Sequence, residues 1–453
     1  MDSLTTFLSD YTAALQYDDL PPEVIHLAKR MLIDTLGCAI GGYSSEPSKI
    51  VRTLAATISS SQPATILGSG QQSSLEMATF ANGVMIRFLD FNDGYTGLET
   101  GHPSDSIAAV LSPAEHVHAD GKTVITATVA AYEAFCRLCD MICIRDRGFD
   151  HVTLGVIAST LGAAKAIGLP RQHIAQALNL ALAPNLALYQ TRIGDVSLWK
   201  GCAFANASRN AVFAVQLAAL GLTGPAPIFE GAGGFFKAMA TAQRALSPFG
   251  GDNTPFKIGE CTLKRFPLGL YSQTVVDAAL QVRQQLPNID DIQQVVVQTL
   301  QTAVDIMAGD TEKWRPANRE TADHSIPYTV AVALMYGDVA PYHFDDHYLF
   351  DPTLSELVQK VHVQVSEAAN RRAPEALLSS VEVMTASGVS YTAETPYHRG
   401  HWKNPMSDDE VDSKFRSLAA NLLSALQLDR LLDRLWHLEE VTDIGNIIGM
   451  VNI

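Results

Sequence analysis

The densest run of residues able to do chemistry lies between Arg87 and Asp105. Arg87-Phe88-Leu89-Asp90-Phe91-Asn92-Asp93-Gly94-Tyr95 closes one helical pattern, and Glu99-Thr100-Gly101-His102-Pro103-Ser104-Asp105 leads into the next. Two carboxylates and an amide are delivered at a helix end. A glycine-punctuated loop then presents a histidine, with Pro103 near the following helix start. Acids and a histidine on a loop held between helices suit general acid/base work, because histidine titrates near neutrality. The plainer alternative is that Asp90 and Asp93 cap and stop a helix.

Other patterns point to chemistry less well. Gly121-Lys122-Thr123 looks like the end of a phosphate loop, but the first glycine of that motif would fall on His116. Gly231-Ala232-Gly233-Gly234 follows no strand and reads as a turn, not a dinucleotide fingerprint. Cys136, Cys139 and Cys143 share one face of a helix without a fourth ligand or a wrapping loop, so they read as buried apolar residues rather than cluster ligands. His343-Phe344-Asp345-Asp346-His347 and the pair His116 and His118 have ligand types, yet a solvated loop and a helix end explain them. Neither a zinc-protease pattern nor a serine-nucleophile elbow occurs, so no metal is expected.

The elements that must position such groups are mostly helices. Between Glu23 and Gly41, Val24, Leu27, Met31, Leu32 and Leu36 recur at three-and-four spacing. Further helical blocks are expected at Leu75–Leu89, Ser106–His118, Thr123–Cys143, Gly155–Ile167, His173–Ala183 and Asn206–Leu220. Their alanine-rich, many-sided apolar character predicts helices buried among helices. After Ala245 the loop-forming Ser247-Pro248-Phe249-Gly250-Gly251-Asp252-Asn253 marks a boundary. Beyond it Val295–Leu300, Val361–Val365 and Val381–Thr385 read as strands, with helices at Gln273–Gln285 and Pro327–Tyr336. Helix returns at Ser407–Leu426 and Gln427–Leu438. The expected class is mainly α: an all-α domain over 1–246, an α+β lid over 247–405, and C-terminal helices over 406–453 returning to the first domain.

The 453 residues are too many for one ordinary core, and 47% hydrophobic with 18% charged is a globular composition. No apolar run approaches the ~20 residues of a membrane span. The net charge of −16 argues against nucleic acid or an anionic membrane as partner, while leaving room for a local cationic pocket. Six cysteines make no disulfide framework. The opening Met1-Asp2-Ser3-Leu4 lacks the start of a secretory signal, so a cytoplasmic location is expected.

The segment from Arg87 to Asp105 resembles the most specific motif of the MmgE/PrpD family, and the resemblance runs over nearly the whole chain. Leu32-Ile33-Asp34-Thr35-Leu36-Gly37-Cys38 is similar to the family's first helix, and Gly148-Phe149-Asp150-His151 to a second family site. Trp199-Lys200 before Ala205-Asn206-Ala207-Ser208-Arg209 resembles its lysine-bearing turn, and Gly221-Leu222-Thr223-Gly224-Pro225 its following loop. Lys264-Arg265-Phe266-Pro267, Ser272-Gln273-Thr274 and Asp323-His324-Ser325-Ile326-Pro327-Tyr328 complete the series. The resemblance implies an all-α domain with an α+β lid, a homodimer, no metal or organic cofactor, and a small polycarboxylate substrate. It places the active site on Asp90, His102, His151, Lys200 and Lys264. Asn92 and Gly101-His102-Pro103-Ser104-Asp105 look most like the methylcitrate dehydratase branch.

Dehydrating a citrate-like acid requires a base beside a carboxylate, an acid for the departing hydroxyl, and cations for the carboxylates. His102 and His151 are expected to be the acid/base pair. Lys200 and Lys264 would anchor carboxylates, and Asp90 would orient one of these groups. Asn92, Tyr271 and Arg192 are further candidates for substrate contact. Two departures from the family pattern bear on the substrate. Gly94 stands where relatives commonly have threonine, and Leu268-Gly269-Leu270-Tyr271 stands where they place a histidine or an acid. A longer or more apolar alkyl substituent is one consequence. A decarboxylase or epimerase on the same scaffold, or a non-catalytic metabolite-binding relative, are the alternatives.

Overall fold

Helices predominate because apolar residues recur at helical spacing and are buried on several faces at once. The computed structural model describes residues 2–240 and 245–453. It divides into two compact units: Met1–Gln190 with Gly201–Cys261 and Ser407–Ile453, and Thr191–Lys200 with Thr262–Met406.

The first unit is built on helices. Pro22–Gly42 opens with proline in its first turn, where a missing N–H goes unnoticed, and every residue from Ala28 to Ile40 is buried. It packs against Leu75–Arg87, Asp408–Ala419 and Ala425–Trp436. Gly121–Met141 packs against Val152–Ala166. The side chain of Asp120 caps the former helix by accepting the Thr123 N–H at 2.8 Å. A Cβ on Gly121 would lie 1.7 Å from the Leu438 carbonyl oxygen. Close packing therefore requires the glycine of the Gly121-Lys122-Thr123 triplet. Two short antiparallel ribbons, Pro63–Thr65 with Gln72–Ser74 and Tyr95–Thr96 with Thr100–Gly101, qualify the all-α expectation.

The second unit carries a four-stranded sheet in the order Val361–Val365, Ile292–Thr299, Ser379–Thr385, Ser390–Thr395. The first pair is parallel and the other two are antiparallel. Val295, Val297, Val381 and Val383 point into a core shared with Val276, Val282 and Val332 of two helices. Those helices are Gln273–Arg283 and Ile326–Tyr336. Ser325 caps the second by accepting the Tyr328 N–H, and Gly337 ends it at φ 73°. Ser390–Thr395 was not expected, since it is an edge strand with only Thr395 buried and only Tyr391 and Ala393 as apolar residues packed against the core.

Three local expectations shift. The helix expected to start at Asn206 runs over Trp199–Ala219, so Lys200 sits in a first helical turn and not in a turn ahead of it. Ser407–Leu426 is not one helix: Asp408–Ala419 ends before Ser424, whose hydroxyl caps Ala425–Trp436. Residues 247–261, expected with the α+β part, belong to the first unit. Among the described residues no helix is long and apolar enough to cross a membrane.

Candidate active site

In the first unit, helix Leu75–Arg87 ends where the chain turns back through Asp90, a buried residue at φ 49°. That left-handed conformation is costly outside glycine, on the order of 1 kcal/mol, and is held here by the side chain. The Asp90 carboxylate accepts from Arg87 Nη1 at 2.6 Å, and Arg87 Nε lies 3.4 Å from Asp105 Oδ2. One buried guanidinium thus ties the start of the loop to its end. Asn92 Nδ2 donates to Ser104 Oγ at 2.8 Å and to Asp105 Oδ1 at 2.7 Å. The nitrogen of the amide considered for substrate contact is engaged in bracing the loop.

Asp93 completes the frame. Its Oδ1 accepts from the Ser104 backbone N–H at 3.0 Å and from the Ser104 hydroxyl. Burial pushes its carboxyl up to about 7 against the opposing pull of hydrogen bonds from Ser104 and Tyr132. Its backbone carbonyl lies 2.7 Å from His102 Nδ1. A carbonyl can only accept, so His102 Nδ1 carries the proton and Nε2 is the basic nitrogen of the neutral ring.

His151 stands at the start of helix Val152–Ala166. Its Nδ1 lies 2.9 Å from Asp150 Oδ1. Its Nε2 is buried and has no hydrogen-bond partner among the described residues. The His102 and His151 rings meet edge to face with centroids 5.6 Å apart, so residues far apart in sequence form a pair. Gly101 makes room for it: a Cβ there would come 2.6 Å from Phe135 Cζ and 2.8 Å from His151 Cδ2. A histidine with one nitrogen held by a carboxylate and the other unpaired is arranged to exchange a proton.

The second unit holds the lysines. Lys200 Nζ contacts Asp323 Oδ1 at 2.6 Å, Asp323 Oδ2 at 2.8 Å and Glu320 Oε2 at 3.1 Å, all buried. Asp323 Oδ1 also lies 2.6 Å from His324 Nδ1. Burial raises the Glu320 carboxyl, while Lys200 pulls it down. Lys313 is fully buried close by, with its Nζ unpaired among the described residues, and burial lowers its ammonium. Arg192 Nη1 reaches the Lys200 carbonyl at 3.5 Å. Lys264 is fully buried. Its neighbour His398 is pushed down to about 3, first by burial and then by His401 and that lysine, against a hydrogen bond to the Arg399 backbone, so it stays neutral. Tyr271 is buried in a 3-10 turn of the apolar core.

Sequence reasoning did not single out Asp150, Glu320, Asp323 or Lys313 as site residues. Asp150 and Asp323 had local signals, in the quoted segments that hold His151 and His324, whereas Glu320 and Lys313 are brought in by packing. The His343 segment is only partly solvated, with Asp345, Asp346 and His347 exposed. His343 and Phe344 are buried, and His343 Nδ1 accepts the Ala340 N–H at 2.9 Å. Cys136 and Cys139 are fully buried with thiols pushed up by burial, the protonated state that packs like a small apolar group. His118 pairs with Asp443 at the surface.

Family profiles match the chain in two places: the MmgE/PrpD N-terminal domain over residues 6–246 and the MmgE/PrpD C-terminal domain over residues 266–438. The chain is 29% identical to a 2-methylcitrate dehydratase of Escherichia coli K12 over 359 residues, covering 73% of this chain and 71% of that protein. It is 25% identical to the human cis-aconitate decarboxylase over 463 residues, covering 98% and 93%. A mitochondrial 2-methylcitrate dehydratase of Yarrowia lipolytica is 26% identical over 383 residues, covering 80% and 72%.

Proposed function

The chain belongs to the MmgE/PrpD family, and on that footing we propose that it is a hydro-lyase that dehydrates 2-methylcitrate or a related alkylcitrate. The observation that carries this reading is the pair His102 and His151, with Nδ1 of the first at the Asp93 carbonyl and Nδ1 of the second at Asp150. One ring takes the proton from the carbon beside a carboxylate. The other gives a proton to the departing hydroxyl, so that a C–H and a C–O bond break, a C=C bond forms and water leaves. In this reading Lys200 and Lys264, at positions the resemblance places in the active site, hold substrate carboxylates or stabilise the charge that develops. Asp90 and Asn92 set the loop on which His102 stands. The reading includes a homodimer and no metal or organic cofactor.

The test is to incubate the purified protein with 2-methylcitrate and a series of longer alkylcitrates while following alkene absorbance. Silence across the whole series sinks the proposal. A second reading, decarboxylation of cis-aconitate, is favoured by one observation. The alignment with the decarboxylase spans nearly the entire chain, whereas that with the bacterial dehydratase spans about three quarters of it. Product mass separates loss of water from loss of carbon dioxide.

A further inference from the structure

A second concentration of positive charge lies in the second unit. A cavity of about 480 Å³ is lined by Arg265, Arg283 and Arg399, together with Asp277, Gln281 and Asn404. Three guanidiniums line this cleft with a single carboxylate, Asp277, and that carboxylate is already engaged. Asp277 Oδ1 lies 3.3 Å from Arg265 Nη1, and its Oδ2 accepts the Arg399 backbone N–H at 2.8 Å. Burial raises the Asp277 carboxyl against the opposing pull of the Arg399 N–H and the Arg265 charge.

The arginines are also set in place. Arg399 Nη1 donates to Asn404 Oδ1 at 3.1 Å, and Asn404 in turn donates from Nδ2 to the Tyr397 carbonyl at 3.1 Å. That loop is closed by the backbone bonds Gly400 N–H to Asn404 and Asn404 N–H to His401. Arg283 stands at the end of helix Gln273–Arg283, where its Nε is buried and has no hydrogen-bond partner among the described residues. A guanidinium presents a planar fork of donors that matches the spacing of oxygens in a phosphate or carboxylate.

We infer that this cleft binds a small oxyanion, carried either by a phosphate ester or by a polycarboxylate, with Arg283 as its central contact. The inference does not rest on the dehydratase reading, since binding and not turnover is what it concerns. The protein, its R283M variant and its R265Q variant are titrated by calorimetry at low salt, with inorganic phosphate in one series and tricarballylate in another. The expected result is a binding component for at least one anion that each variant weakens about tenfold or more, the weight of a lost charge-assisted hydrogen bond. Phosphate alone identifies a phosphate ester as the natural ligand class, and tricarballylate alone a polycarboxylate. Absence of binding by either anion overturns the inference, as does a component unchanged in both variants. Arg265 is exposed, so R265Q keeps the test decisive if R283M fails to fold.

Discussion

Replacing Asp93 by asparagine tests the electrostatics of the frame beneath His102. In the folded chain burial holds the Asp93 carboxyl at about 7, whereas an unfolded aspartate titrates near ~3.9. Between those values the unfolded chain releases a proton that the folded chain keeps. Stability from this group is therefore complete below about pH 4 and is lost as pH rises towards and through 7. A difference of about 3 pKa units at ~1.4 kcal/mol each gives a loss of about 4 kcal/mol once both states are ionised, of which about 3 kcal/mol falls between pH 5 and pH 8. Asparagine has no charge to desolvate, and its Oδ1 can still accept from the Ser104 N–H and hydroxyl. D93N should therefore gain on the parent by about 3 kcal/mol from pH 5 to pH 8, whatever the fixed offset between them. Urea unfolding of both proteins at the two pH values measures this directly. A difference between D93N and parent that does not change with pH would refute the account of Asp93 as a buried, desolvated acid.

Changing Asp150 to asparagine removes the charged partner of His151 Nδ1 while keeping an acceptor for the Val152 N–H. The expected fall in kcat is roughly tenfold to a hundredfold at unchanged fold, from about 1.5–3 kcal/mol for a hydrogen bond to a charged group; full activity in steady-state assays would remove His151 from the mechanism. Lys200→Met leaves the buried carboxylates Asp323 and Glu320 without their cation and should cost about 3–5 kcal/mol of stability, read as a lowered urea midpoint. An unshifted midpoint would contradict the tight buried pairing. Gly101→Ala should push on both Phe135 and His151 and lower kcat more than a remote glycine substitution such as Gly233→Ala, whose Cβ meets nothing within 4 Å. Equal rates for the two variants would show that the ring of His151 is not held by this contact.

Much of this protein could be read along the chain because the deciding interactions are local. Helical spacing of apolar residues located Pro22–Gly42 and Gly121–Met141 to within a few residues, and alternation located Val361–Val365. The stretch from Arg87 to Asp105 was legible for the same reason, since its carboxylates, amide and histidine lie close together and its brace is made of its own residues. What the linear order could not contain is which distant groups share a neighbourhood. Only tertiary packing put the ring of His151 against that of His102 and closed Asp323 and Glu320 around Lys200. Only packing gathered Arg265, Arg283 and Arg399 around one cleft. Such juxtapositions depend on how helices and strands pack over long separations, whereas residue type and spacing specify only the elements that do the packing.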